Sequence, residues 1–74
     1  MAIFKYTVNL GWPYDVEILD KLLGKYSKKN NLVLERNYTE FDYTFELHGE
    51  DSKIEKIEAL RNNEESLMAE LVGI

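Results

Sequence analysis

LVLERNY-TE-FDYTFELH, residues 32–48, reads as two runs of alternating residues around a short polar turn. Alternation with a period of two, rich in aromatic and aliphatic side chains, is the pattern of a half-buried β-hairpin. Setting Tyr38 opposite Phe41 brings Arg36 opposite Tyr43, Leu34 opposite Phe45 and Leu32 opposite Leu47, so one side collects nearly all the large apolar groups. A slip of one residue would turn that whole set to water, which makes the register strongly specified. The other side carries Val33, Glu35 and Asn37 against Glu46, Thr44 and Asp42. The rest of the chain has to cover the apolar side.

Upstream, Ile3 to Leu10 alternates as well, with Phe4, Tyr6, Val8 and Leu10 on one face, and reads as a strand with one buried side. Gly11-Trp12-Pro13 ends it, since proline offers no amide hydrogen to a ladder and suits the first turn of a helix. Val16, Leu19, Leu23 and Tyr26 then recur at helical spacing, widened by Ile18 and Leu22, up to a stop at Asn30-Asn31. Gly24, costly inside a helix, reads as a close approach to the sheet. Downstream, Ser52 and Glu55 have capping-box spacing, and Ile54, Ile57, Leu60, Leu67, Met68 and Leu71 repeat on one side. Asn62-Asn63 interrupts that pattern; one continuous helix is preferred over a kink recapped by Asn63.

The expectation is an α+β fold in a single domain. It is a two-layer β-α-β-β-α sandwich with strands over about 3–10, 32–38 and 41–48 and helices over about 13–29 and 52–72. Two strand orders compete. Placing the third strand in the centre, order 1-3-2, is preferred because Phe41 to Leu47 carries the strongest core pattern. This gives a mainly antiparallel sheet with both helices on one face, the layout of a split β-α-β unit without its last strand. Trp12, Tyr14 and the hairpin turn then share one end, and Lys25 to Asn31 shares the other with Gly49 to Asp51.

Seventy-four residues leave room for one core, and a chain of this length buries only about 60% of its unfolded surface. No cysteine is present, and one histidine cannot make a His/Cys zinc site. Met1 to Leu10 alternates, unlike a signal peptide, and no stretch reaches membrane-spanning length. A soluble, cytoplasmic protein is expected. Fourteen acidic against nine basic residues, net −5, disfavour direct nucleic-acid binding and favour a protein partner with a basic surface.

The candidate partner-binding residues are Trp12, Tyr14, Tyr38, Glu40, Phe41 and Asp42, aromatic groups with an acidic flank. The structural alternative is that Trp12 staples the first helix and Tyr38 the hairpin. Glu46, Glu50, Asp51, Glu55 and Glu58 form a second, acidic set, which either solvates the surface or imitates a nucleic-acid backbone. The first strand is an edge in the preferred order and invites a homodimer or an added strand. Glu35 and Glu46 place two carboxylates on the uncovered sheet face, and His48 reads as a strand-end residue. No phosphate loop, nucleophile motif or metal-ligand spacing is visible, so neither catalysis nor a cofactor or metal is expected. Three functions follow: a protein-binding module that inhibits by occupying a surface of a larger complex; an acidic mimic blocking a nucleic-acid site on an antiviral or restriction complex; and a structural subunit dimerising through its edge.

Overall fold

The computed structural model describes residues 1–9 and 15–73. The turn expected at Gly11-Trp12-Pro13, and with it Leu10 and Tyr14, lies outside the described residues. Six elements follow one another: β1 (Ala2–Asn9), α1 (Val16–Lys29), β2 (Val33–Tyr38), β3 (Asp42–Gly49), α2 (Asp51–Glu58) and α3 (Glu64–Val72). The three strands form one open sheet in the order β1-β3-β2, antiparallel throughout, the α+β arrangement expected from the alternation. Among the described residues no helix is long and apolar enough to cross a membrane.

Alternation decides what each strand buries. Phe4 and Val8 of β1 and Tyr43, Phe45 and Leu47 of β3 point into the helical layer. α1 closes over them with Leu19, Leu23 and Tyr26, α2 with Ile54 and Ile57, and α3 with Leu67 and Leu71. Each such side chain, once fully covered, contributes roughly 1.5–3 kcal/mol. Phe45 is central, its ring 5.9 Å from that of Phe4, 5.8 Å from Tyr6 and 6.1 Å from Tyr43. α1 packs on β2 and α3, whereas α2 packs on β1 and β3, so the two ends of the sheet are covered by different helices.

The hairpin register differs from the expected one by two residues: Tyr38 lies opposite Tyr43, Arg36 opposite Phe45 and Leu34 opposite Leu47. The reason is the turn, which is centred on Glu40-Phe41 rather than Thr39-Glu40. Thr39 N–H donates to the Asp42 carbonyl at 2.8 Å, and the Thr39 hydroxyl oxygen accepts from Asp42 N–H at 2.9 Å. An even shift keeps every side chain on its face. It moves Phe41, however, from the expected apolar layer to the exposed apex.

Three further expectations are corrected. The long second helix is two helices, because residues 59–63 tighten into turns with Leu60 N–H on Ile57, Arg61 N–H on Glu58 and Asn63 N–H on Leu60. Ile57 and Leu67 are ten residues apart, which at about 100° per residue leaves their faces roughly 80° out of line on a straight helix. The break lets α2 face the sheet and α3 face α1, and Asn63 caps α3 by accepting from Ser66 N–H at 3.1 Å. Ser52 is not a cap: β3 runs to Gly49, Glu50 takes the cap position without a side-chain bond, and Ser52 falls within the first turn. Gly24 is not a close approach, since a Cβ there would meet nothing within 4 Å; the crowded glycine is Gly49, against Leu32.

α1 ends in a motif the paired asparagines only hint at. Asn31 sits in the left-handed region at φ 58°, Leu32 N–H reaches back to the Ser27 carbonyl at 2.8 Å, and Asn31 N–H to Lys28 at 3.4 Å. This 6→1 closure turns the chain into β2 and seats Leu32 in the core.

Candidate functional site

Of the candidate partner-binding residues, Tyr38, Glu40, Phe41 and Asp42 are brought together at the tip of the hairpin, and all four are exposed. Trp12 and Tyr14 lie outside the described residues. Tyr38 is 58% and Phe41 64% exposed, although both belong to the expected apolar face. The α1 residue facing this part of the sheet is Asp20 rather than an apolar group. Asp20 Oδ1 accepts from Arg36 Nη1 and from the Tyr43 hydroxyl, each at 2.7 Å. Tyr38 in turn rests its ring 4.7 Å from that of Tyr43.

The tip is thus held from two sides, by the Thr39–Asp42 bonds at the apex and by the Asp20 bridge to α1. Burial, and then the bond to Asp20, push the Tyr43 phenol well above its ordinary range. The side-chain bond to Asp20 raises the Arg36 guanidinium in the same way. Asn9 pairs with Asp42, so the end of β1 arrives beside the same turn.

Asp20 escapes the sequence reading. It occupies a position of the apolar α1 stripe, one residue after Leu19 and three before Leu23. A carboxylate inside such a stripe is the available signal.

The uncovered face of the sheet is organised in rows. Ile3, His48 and Val33 form one, Lys5, Glu46 and Glu35 the next, and Thr7, Thr44 and Asn37 a third. Ile3 and Val33 are more than half exposed, and the hydroxyls of Thr7 and Thr44 are hydrogen-bonded at 2.9 Å. His48 does not stand alone at a strand end. Its Nε2 lies 3.0 Å from Glu46 Oε1 and 3.2 Å from Glu35 Oε2. Among the described residues these three form the one group of His and carboxylate donors close enough to share a metal ion, with all donor atoms within 4.8 Å of one another. Positions 46 and 48 share a face by alternation, but Glu35 comes directly opposite Glu46 only in the observed register, two residues away from the expected one.

The acidic set does not assemble into one patch. Glu46 lies on the open face, across the sheet from α2, which carries Asp51, Glu55 and Glu58. Asp51 faces the chain's amino terminus at 3.5 Å, and Glu58 takes a two-pronged bond from Arg61 at 2.8 and 2.9 Å, which lowers its pKa. Glu50 and Glu55 remain exposed. At the opposite end from the tip, a cleft of about 560 Å³ between α1 and α3 is rimmed by Lys25, Lys29 and Lys56, with Glu70 among them. Glu70 accepts from the Tyr26 hydroxyl at 3.0 Å and pairs with Lys56 at 3.4 Å. Lys53 donates to the Asn30 carbonyl at 2.7 Å, tying the lysine-rich end of α1 to α2.

No family model matches the chain, and no curated protein or solved structure is significantly similar to it. Architecture alone therefore places it: an open-faced α+β domain whose helices cover one side of a three-stranded antiparallel sheet and whose central hairpin projects an aromatic tip.

Proposed function

We propose that the chain is a small protein-binding module that seats the β2–β3 hairpin tip against a partner with a basic surface, inhibiting by occupying part of a larger complex. The observation that carries this reading is the exposure of Tyr38 and Phe41 on a turn held at both its apex and its base. Aromatic side chains presented on a rigid element lose little entropy on docking and dominate interface energies. Glu40 and Asp42 flank them, and net charge −5 favours encounter with a positive surface. Replacing Tyr38 and Phe41 by alanine should abolish capture of the partner from the native host while circular dichroism shows the fold retained. Undiminished capture by the double variant overturns the assignment. Competition by DNA or RNA for the captured partner would instead favour the nucleic-acid mimic.

A second reading rests on β1, which is an outer strand of eight residues paired on one side by β3. Such an edge supports a homodimer formed by strand addition. Sedimentation across a range of concentrations tests it, and a monomer at every concentration removes it.

A further inference from the structure

We propose that Glu35, Glu46 and His48 form a binding site for a divalent transition-metal ion of the Zn2+ class on the open face of the sheet. One imidazole nitrogen and two carboxylate oxygens, without sulfur, suit a first-row divalent ion, whereas Mg2+ and Ca2+ prefer oxygen alone. The spacing fits. Donors held about 2.1 Å from one metal at octahedral or tetrahedral angles stand roughly 3.0–3.4 Å apart, and His48 Nε2 lies 3.0 Å from Glu46 Oε1 and 3.2 Å from Glu35 Oε2.

The register supplies a separate reason. Glu35 and Glu46 are direct cross-strand partners, and like charges in that relation destabilise a sheet unless a cation lies between them. Lys5 flanks Glu46 on the β1 side, yet both carboxylates turn toward the imidazole. A single N–H must be shared between the two acceptors, whereas the nitrogen lone pair and two carboxylate oxygens can all face one ion. The donors sit on adjacent strands rather than on a loop, which fixes their positions. The His48 side chain is 20% exposed and Glu46 31%, so the ion would rest on the sheet with its remaining coordination positions open to water or to a ligand group.

Titrating zinc chloride into the intact chain by calorimetry, in a buffer that does not chelate, tests the site, with the His48 ring nitrogens followed by NMR. One Zn2+ should bind per chain, move the His48 Nε2 resonance, and persist against a large excess of Mg2+. Losing even an outer partner of a metal ligand typically costs about 10–100-fold in affinity, so His48→Gln and Glu46→Gln should each weaken binding tenfold or more. Glu55→Gln, on the helical side, should leave it unchanged. Should either strand variant fail to fold, Glu35→Gln on the exposed edge strand and the wild-type ring resonance decide the same question. Absence of saturable uptake, an unmoved His48 ring, or full affinity in the variants overturns the site.

Discussion

Replacing Asp20 by alanine removes the acceptor that joins α1 to both strands of the hairpin, and the two bonds it breaks are not equal. Tyr43 is 2% exposed, so its hydroxyl loses a carboxylate partner with little water to replace it; a hydrogen bond to a charged group contributes about 1.5–3 kcal/mol. The Arg36 side chain is 44% exposed, and its ion pair with Asp20 is screened by solvent, adding about 0–1 kcal/mol. Together the loss should be about 2–3 kcal/mol. In a domain of this size that lowers the melting midpoint by about 10–20 °C. Asp20→Asn keeps an acceptor oxygen but no charge and should cost about half as much. Urea unfolding followed by circular dichroism should show a lower midpoint with the slope unchanged. A second readout is the ultraviolet titration of tyrosine. Tyr43 is held up by burial first and by Asp20 second, so the Asn variant should bring its ionisation to lower pH. An Asp20→Ala protein within about 0.5 kcal/mol of the parent, or an unmoved Tyr43 titration, would show that this bridge does not hold the tip.

The two contrasted glycines should respond with opposite signs in the same urea assay. Gly24→Ala adds a methyl group into open space within a helix and should raise stability by about 0.5–1 kcal/mol. Gly49→Ala drives a Cβ into the buried Leu32 side chain and should lower it by about 1 kcal/mol or more. Alkaline pH should weaken the fold through Tyr26, which burial and its bond to Glu70 push from 10.0 up to about 12. Below pH 10 both states keep the phenol proton; above it the unfolded chain releases the proton while the folded chain retains it, so stability falls from pH 10 to about 12. Tyr26→Phe should flatten that part of the profile, and an unchanged slope would refute the assignment.

Strand alternation carried most of the fold. Phe4 and Val8, and Tyr43, Phe45 and Leu47, announce their buried face in one dimension, and the concentration of apolar groups in the third strand is reason enough to place it in the centre. Turn geometry is less legible. Thr39 can serve as a turn residue or as the residue that clamps one, and the side-chain bonds that decide between these form only when Asp42 lies opposite it. One step in the turn moved the register by two residues, exposed Phe41 and brought Glu35 beside Glu46 and His48. The helix break was visible as Asn62-Asn63, but its cause is tertiary: Ile54 and Ile57 pack on the sheet, and Leu67 and Leu71 belong to a helix that packs on α1. Tyr38, Glu40, Phe41 and Asp42 were readable as a cluster because they are contiguous. Asp20 and the histidine–carboxylate group were not, since each is assembled from separate elements.

The hairpin tip as the docking surface is tested most directly by incorporating a photoreactive benzoylphenylalanine at position 41 and irradiating cells of the native host. The replaced side chain is aromatic and exposed, so the fold should be unaffected. A covalent adduct to one protein is expected from position 41 and none from the same group placed at position 55 on α2. Adducts from position 55 alone, or from neither position while the chain is still captured in complexes, would contradict it.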